Sequence, residues 1–468
     1  MRNKYKELFN DTLIFALGRF GSRLILFFLV PLYTNYLTND QYGTADLVFT
    51  ISQFIVPIIS VVIDDALIRF GLSTRYKKED VLGTSFSIVF IDIVALFLFT
   101  PLLRFYPAVS EWRYYLSINV ILTIINSVQL NYLKVCGKNL LYSIACIIQA
   151  ACVAGLNILF LVFLKMGVDG YLLATIISYL ITDIFVFFTG NIFPDIKKAR
   201  INKALSKKML IYSAPLVVNN ISWWVIQSSD KLMIEQMVNT SALGLYTAAS
   251  KIPSLIYVFV SIFQQAWGIS SIKEIESSND TTFYSNVFSA LYTFVFFISI
   301  CLIGVAKPFM KIYVGASFFE SWTLVPALLG SASFSAISAF FGSLYGALKK
   351  TKNNMWTTIA SAIVNVVFNY YFILKLGLIG AVIGTFISYI FIALLRMVDV
   401  SRYINIRINK KIFSLNCVII ILQTIFVTLN FHIIIITSVF LGLFCFINRS
   451  MITQVTKKIL NMVYSIRK

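Results

Sequence analysis

Two arginines inside an apolar run set the chemical question for this chain. Residues 12–36 read TLIFALGRFGSRLILFFLVPLYTNY, long and apolar enough to cross a bilayer as a helix. Arg19 and Arg23 lie near its middle at i,i+4, so both guanidinium groups leave the helix on one face. An arginine at the bilayer centre costs at least about 2.5–3.5 kcal/mol. Such a pair must look at a polar interior that other helices enclose, and Gly18 and Gly21 let a backbone or a ligand come close. Planar guanidinium forks meet phosphate oxygens bidentately, which a lysine ammonium cannot do. Their roots are about 6 Å apart, a suitable span for two linked phosphates. The competing reading ties both arginines to helix carbonyls or to Asp64 and Asp65.

Other ionisable residues also fall at membrane depth. Asp64, Asp65 and Arg69 stand near the end of the second apolar run, where Asp65 and Arg69 are spaced to pair. Asp92 and Asp183 sit nearer the middle of later runs and are candidates to carry a proton or cation. The second half opens with SAPLVVNNISWWVIQSSDKLMI over residues 213–234. Pro215 invites a bend there. Asn219, Asn220, Gln227 and Ser228 make the run polar, and Trp223 and Trp224 lie deep within it. Tryptophan planes beside amides suit sugar rings; ordinary aromatic packing is the alternative. Asp230 and Lys231 sit near the outer mouth as candidate gating residues. Lys251 lies inside the next run, as a second cationic site or as the partner of Asp230.

Positioning these residues takes many helices. Of 468 residues 59% are apolar and the mean hydropathy is +0.84, far above soluble domains. Hydropathy and breakers give about fourteen spans, at 12–34, 44–69, 81–103, 114–135, 140–164, 170–193, 209–230, 243–269, 284–306, 321–348, 354–374, 378–398, 412–430 and 432–447. The expected fold is an all-α polytopic membrane protein. With the N-terminus inside, inner segments hold 26 of the 39 Lys and Arg residues, outer segments 7 and spans 6, so both termini are expected in the cytoplasm. The net charge of +19 then reflects short basic loops beside anionic lipid, and nucleic acid is not an expected partner.

An internal repeat organises the spans. GVDGYLLATIISY at 167–179 aligns with GLIGAVIGTFISY at 377–389, a constant offset of 210. YLTNDQYG at 36–43 pairs more weakly with MVNTSALG at 237–244. The repeats predict two parallel six-helix lobes, residues 1–193 and 209–400, related by an axis along the membrane normal with the substrate path between them. Residues 194–208 form a basic cytoplasmic linker. Residues 401–468 add two peripheral helices and a basic tail.

Several chemistries have no support. Six cysteines lie mostly in apolar runs without CxxC or Cys/His spacing, and His432 stands alone, so no metal site is expected. There is no GxxxxGK[ST], HExxH or GxSxG, and no large loop to house a hydrolase or transferase. The chain is expected not to be an enzyme, to need no cofactor, and to draw on a gradient of H+ or Na+ for uphill movement. Basic residues before the first run mimic a signal peptide, but the run is long, carries arginines and lacks a clear cleavage site. It is read as a retained span.

The runs PLYTNYLTNDQYG (31–43), SAPLVVNNISWWVIQSSDKLMI (213–234), GLYTAASKIPSLI (244–256) and IFQQAWGISS (262–271) resemble the O-antigen and capsule repeat-unit flippases. These are the polysaccharide transporter branch of the MATE-like superfamily. The resemblance covers roughly residues 10–400. It implies an inverted-V pair of lobes in the bacterial inner membrane that moves an undecaprenyl-diphosphate-linked oligosaccharide to the outer leaflet by ion-coupled alternating access. It also implies a polysaccharide polymerase and a chain-length regulator as partners. Carried onto this chain, the cationic cavity residues are Arg19, Arg23 and Lys251, with Arg69 beside them. The sugar-facing residues are Asn219, Asn220 and Trp223; Asp92, Asp183 and Asp65 are left for ion coupling and Asp230 and Lys231 for gating. The alternatives are a MATE-type drug or cation exporter, whose cavity is expected to be acidic or aromatic, and a lipid II flippase.

Overall fold

The computed structural model describes residues 21–277, 281–451 and 453. Regular structure among them is helical throughout. Twelve helices are long and apolar enough to cross a membrane, and Ile433–Ile447 is a shorter apolar helix. The expected span 12–34 falls partly outside the described residues; its described part is helical over residues 21–28. The polytopic all-α class therefore stands. By internal packing, the described residues up to Glu235, with Asn239–Gly244, form one compact unit, and Gln236–Val238 with the described residues from Leu245 onward form another.

The first unit begins with α1 (Val30–Tyr36) and α2 (Asn39–Ile59). Thr38 caps α2 through a reciprocal exchange with Gln41: the Gln41 N–H donates to Thr38 Oγ1 and the Thr38 N–H to Gln41 Oε1. The second span, expected as one helix over 44–69, is broken. α2 ends at Ile59 and α3 (Ile63–Gly71) follows. Pro57 has no N–H to bond the Gln53 carbonyl. Val61 and Val62 then take left-handed φ values of 47° and 55°, which β-branched residues adopt only where surrounding structure imposes it. Ser60 Oγ accepts the Val62 N–H at 3.2 Å and steadies the break.

The unit continues with α4 (Lys78–Phe99), α5 (Arg113–Val135), α6 (Asn139–Asn157), α7 (Gly167–Thr189), α8 (Ile192–Lys198) and α9 (Lys203–Met237). Residues 194–208 are largely helical, and they are tied down: Asp195 accepts from the Tyr132 hydroxyl and Asp80 from the Arg200 N–H. Pro215 does not interrupt α9, whose 35 residues reach about 50 Å. Side chains hold α9 in this unit. Trp224 donates to the Thr50 carbonyl, Lys231 pairs with Asp46, and Glu235 accepts from the Tyr106 hydroxyl. That is why the unit extends to Glu235, beyond the boundary drawn from sequence at the basic linker.

The short repeat around residues 36–43 and 237–244 has a structural counterpart. α10 (Thr240–Ser277) is capped by Asn239, whose Oδ1 accepts the Ala242 N–H, as Thr38 caps α2. A Cβ on Gly43 would strike the Thr240 carbonyl oxygen, and one on Gly244 the Asn39 carbonyl oxygen. Asn39 and Thr240 are themselves equivalent in the repeat, so the contact is reciprocal, and only glycine lets the two backbones approach this closely.

Beyond α10, the second unit contains α11 (Thr281–Tyr313), α12 (Val325–Ala347), α13 (Thr351–Leu376), α14 (Leu378–Val400), α15 (Lys410–Thr428) and α16 (Ile433–Ile447). The longer repeat also survives in three dimensions. Gly167 and Gly377 have φ of +58° and +57° just ahead of the core of α7 and α14. Ser178 and Ser388 are both fully buried and bond back to the carbonyls of Ala174 and Gly384. The last two helices dock on α11 through Gln423, which donates to the Ile300 carbonyl, and through Gly304, which faces Thr437.

Candidate functional site

The helix break builds a cavity in the first unit. It has a volume of about 410 Å³ and is lined by Gln53, Val56, Pro57, Ser60, Val62, Asp64, Asp65, Asn220, Trp223, Trp224, Gln227 and Ser228. That volume is in the range of small-ligand sites, about 300–1,000 Å³. One wall comes from the end of α2, the bend and the first turn of α3; the other comes from α9. Interrupted helices at membrane depth are tolerated where their irregular backbone lines a cavity.

Each wall is fixed by its own contacts. Trp224 Nε1 donates to the Thr50 carbonyl at 3.1 Å, and its ring lies 4.6 Å from that of Phe54. Asn220 Nδ2 donates to the Leu216 carbonyl, leaving its Oδ1 to accept. Asp64 Oδ2 accepts from Asn131 Nδ2 at 3.1 Å, and Asn131 Oδ1 accepts from Lys134 Nζ at 2.7 Å. Lys134 thus stands behind Asn131, and the cavity lining holds two carboxylates and no basic side chain. Asp65 is exposed, and it makes no ion pair with Arg69 among the described residues. The sequence spacing allowed that pair; the turn at α3 does not form it.

Of the sequence candidates, Asn220, Trp223 and Asp65 meet at this cavity. Asn219 is one residue from the wall and exposed. Arg69, Asp92, Asp183, Asp230, Lys231, Arg23 and Lys251 lie outside its lining. Arg19 falls outside the described residues. Arg23 is exposed, on a helix held by the Ser22 hydroxyl bonding the Cys146 carbonyl. Asp183 lies on α7, where its Oδ1 accepts from Asn126 Nδ2 at 2.7 Å. Asp183 Oδ2 and Asp92 Oδ2 are buried and have no hydrogen-bond partner among the described residues. Lys251 is half-buried on α10 in the second unit.

Asp230 and Lys231 part company. Asp230 is 2% exposed and accepts the Lys231 N–H. The Lys231 ammonium instead turns to Asp46 Oδ2 at 2.8 Å. Sequence reasoning missed Asp46, although it too is an acid inside an apolar run. It also missed Arg396, which lies inside the expected span 378–398 but was not singled out. Arg396 is 1% exposed and bonds Thr357, Thr358, Asn354 and both the hydroxyl and the carbonyl of Ser338. These acceptors leave it a staple among α12, α13 and α14. Pro57 and Ser60 were the signals, unread, for the break that shapes the cavity.

The profile of a family described as polysaccharide biosynthesis protein matches residues 8–268. A Shigella flexneri protein described as an O-antigen transporter is 24% identical over 258 residues, 53% of this chain and 59% of that relative. The chain thus spans about three fifths of the length of that curated relative. Among solved structures, the lipid II flippase MurJ in an inward closed conformation is similar with a TM-score of 0.70 at 14% identity, covering 94% of this chain and 100% of that one. An outward-facing multidrug resistance MATE family transporter of the MOP superfamily is similar with a TM-score of 0.64 at 16% identity, covering 86% and 96%. At these identities the two structures speak for the fold alone.

Proposed function

The chain belongs to the polysaccharide biosynthesis protein family, and from that premise we propose that it is a flippase for lipid-linked glycan. It moves an undecaprenyl-diphosphate-linked oligosaccharide from the inner to the outer leaflet of the bacterial plasma membrane, with both termini in the cytoplasm. The observation that carries this reading is the cavity beside the broken second span, with its paired tryptophans and free amides inside a polytopic unit. Sugar rings present flat C–H faces to indole and hydroxyls to amides, so this lining suits them.

The diphosphate needs cations, and the sugar cavity has none. Arg23, exposed on its helix, supplies that charge together with Arg19, Lys251 and Arg69. Asp92 and Asp183 each keep a buried oxygen without a partner, which suits groups that gain and lose a proton or release a cation as their surroundings hydrate. These two make up the coupling set, driven by H+ or Na+, and Asp65, which lines the cavity, is left to meet the sugar. Asp230 and the Lys231–Asp46 pair serve gating. A polymerase and a chain-length regulator receive the product in the outer leaflet.

A second reading follows from one observation. Asp64 and Asp65 beside Trp223 and Trp224 also suit an organic cation, as in a drug exporter. Purified chain in proteoliposomes with a polyprenyl-diphosphate disaccharide separates the two. Protein-dependent appearance of the sugar in the opposite leaflet, lost in Arg23→Ala and reduced in Arg23→Lys, is the expected result. Wild-type flipping by a stably inserted Arg23→Ala variant overturns the diphosphate role. Transport of tetraphenylphosphonium with no movement of the lipid-linked sugar overturns the flippase reading.

A further inference from the structure

We propose that the cavity beside the broken second span receives one sugar residue of the glycan and selects it by charge, accepting neutral or amino sugars and rejecting residues that carry a carboxylate. This rests on the flippase reading and names the substrate class of that site. The argument begins with the charges around the cavity. Asp64 and Asp65 are its only ionisable lining residues. Asp64 is held from behind by Asn131, whose carbonyl takes the Lys134 ammonium. Lys134 therefore offsets part of one carboxylate from outside the wall and presents no cation to a ligand. Arg69 lies one turn beyond Asp65 on α3 without pairing to it among the described residues. About one negative charge is left uncompensated at the cavity surface.

The rest of the lining is neutral and suited to hydroxyls. Trp224 is locked by Thr50 and Phe54, so its plane is set before a ligand arrives, which lowers the entropic cost of binding. Gln53 and Gln227 are exposed and have no side-chain hydrogen bond among the described residues, so each keeps both donor and acceptor capacity. The Asn220 carbonyl and the free oxygens of Asp64 and Asp65 accept from hydroxyl or ammonium donors. A uronic acid offers a carboxylate where these acceptors need a donor. One unit charge about 6 Å from another at an effective dielectric of about 20 is repelled strongly enough to weaken binding about a hundredfold. An amino sugar gains in the same geometry.

The test compares two polyprenyl-diphosphate disaccharides that differ only in a terminal glucose or glucuronic acid, each reconstituted with the full chain in proteoliposomes. The neutral sugar should flip about a hundredfold faster. Asp64→Asn/Asp65→Asn should bring that ratio towards one, and Asp65→Asn alone should move it the same way. The single variant guards against misfolding, because Asp65 is exposed and its side chain makes no hydrogen bond or ion pair among the described residues. Equal wild-type rates for both sugars, or a ratio unmoved in a folded double variant, overturn the proposal while leaving the flippase reading intact. If neither lipid-linked sugar flips, the flippase reading fails, and the cavity is judged on its own by tryptophan quenching with the free methyl glucoside, methyl glucosaminide and methyl glucuronide. Quenching by the first two that is lost in Trp224→Phe, with none by the glucuronide, supports the charge filter. Equal quenching by all three, or quenching by tetraphenylphosphonium alone, overturns it.

Discussion

Removing one member of the Asp46–Lys231 pair tests how the first unit holds α9. The two charged atoms are 2.8 Å apart, with side chains 11% and 18% exposed. At that distance and an effective dielectric of about 20 the attraction is about 6 kcal/mol. Desolvation takes back much of it, and loss of one partner from a fully buried pair costs about 3–5 kcal/mol. Water reaches both groups here, so Asp46→Asn or Lys231→Met is expected to cost about 2 kcal/mol. In Asp46→Asn/Lys231→Met no uncompensated charge remains, and the double variant should be no less stable than either single one. The coupling is then about 2 kcal/mol. Reversible denaturant titration in detergent micelles, run on the four proteins of the cycle, measures it. Singles that add to the double within about 0.5 kcal/mol would refute the argument, because the pair would then be a surface contact without energetic weight.

The other expectations are quicker to check. Arg396→Lys should lose monodisperse protein on size-exclusion chromatography almost as fully as Arg396→Met, because one ammonium cannot meet Thr357, Thr358, Asn354 and Ser338 together; wild-type behaviour of the lysine variant would show that Arg396 is not a staple. Gly43→Ala and Gly244→Ala should each cost about 1–3 kcal/mol, since the added methyl meets a carbonyl oxygen of the facing helix; unchanged denaturant midpoints would mean that the crossing has slack. Asp92→Asn and Asp183→Asn should abolish gradient-driven turnover in proteoliposomes while sugar binding persists, and normal transport in both would remove them from the coupling role.

How much of this was legible before folding is clearest from particular residues. Helical class and span positions were readable, because a bilayer demands long apolar runs and no packing partner can supply them. The repeat was readable too. Gly167 and Gly377 occupy a backbone conformation that favours glycine, and Gly43 and Gly244 a crossing that admits no side chain, so the same residue recurs in both halves. Asn220, Trp223 and Asp65 were marked by polarity or bulk where apolar residues are the rule, and the fold gathers them at one cavity.

Tertiary structure decided which charge meets which. Spacing offered Asp65 to Arg69, and the sequence left Lys251 as a partner for Asp230. The fold gave Lys231 to Asp46, which lies 185 positions away in the sequence. It gave Asp64 to Asn131, and it left Asp65 facing the cavity. Local periodicity reports only neighbours on one helix, whereas burial and pairing are set by helices that meet across the unit. The break at Ser60–Val62 is the same kind of fact. Pro57 marks a weak point in the sequence, but two valines hold left-handed backbone only because the packed walls around them supply more free energy than the strain costs.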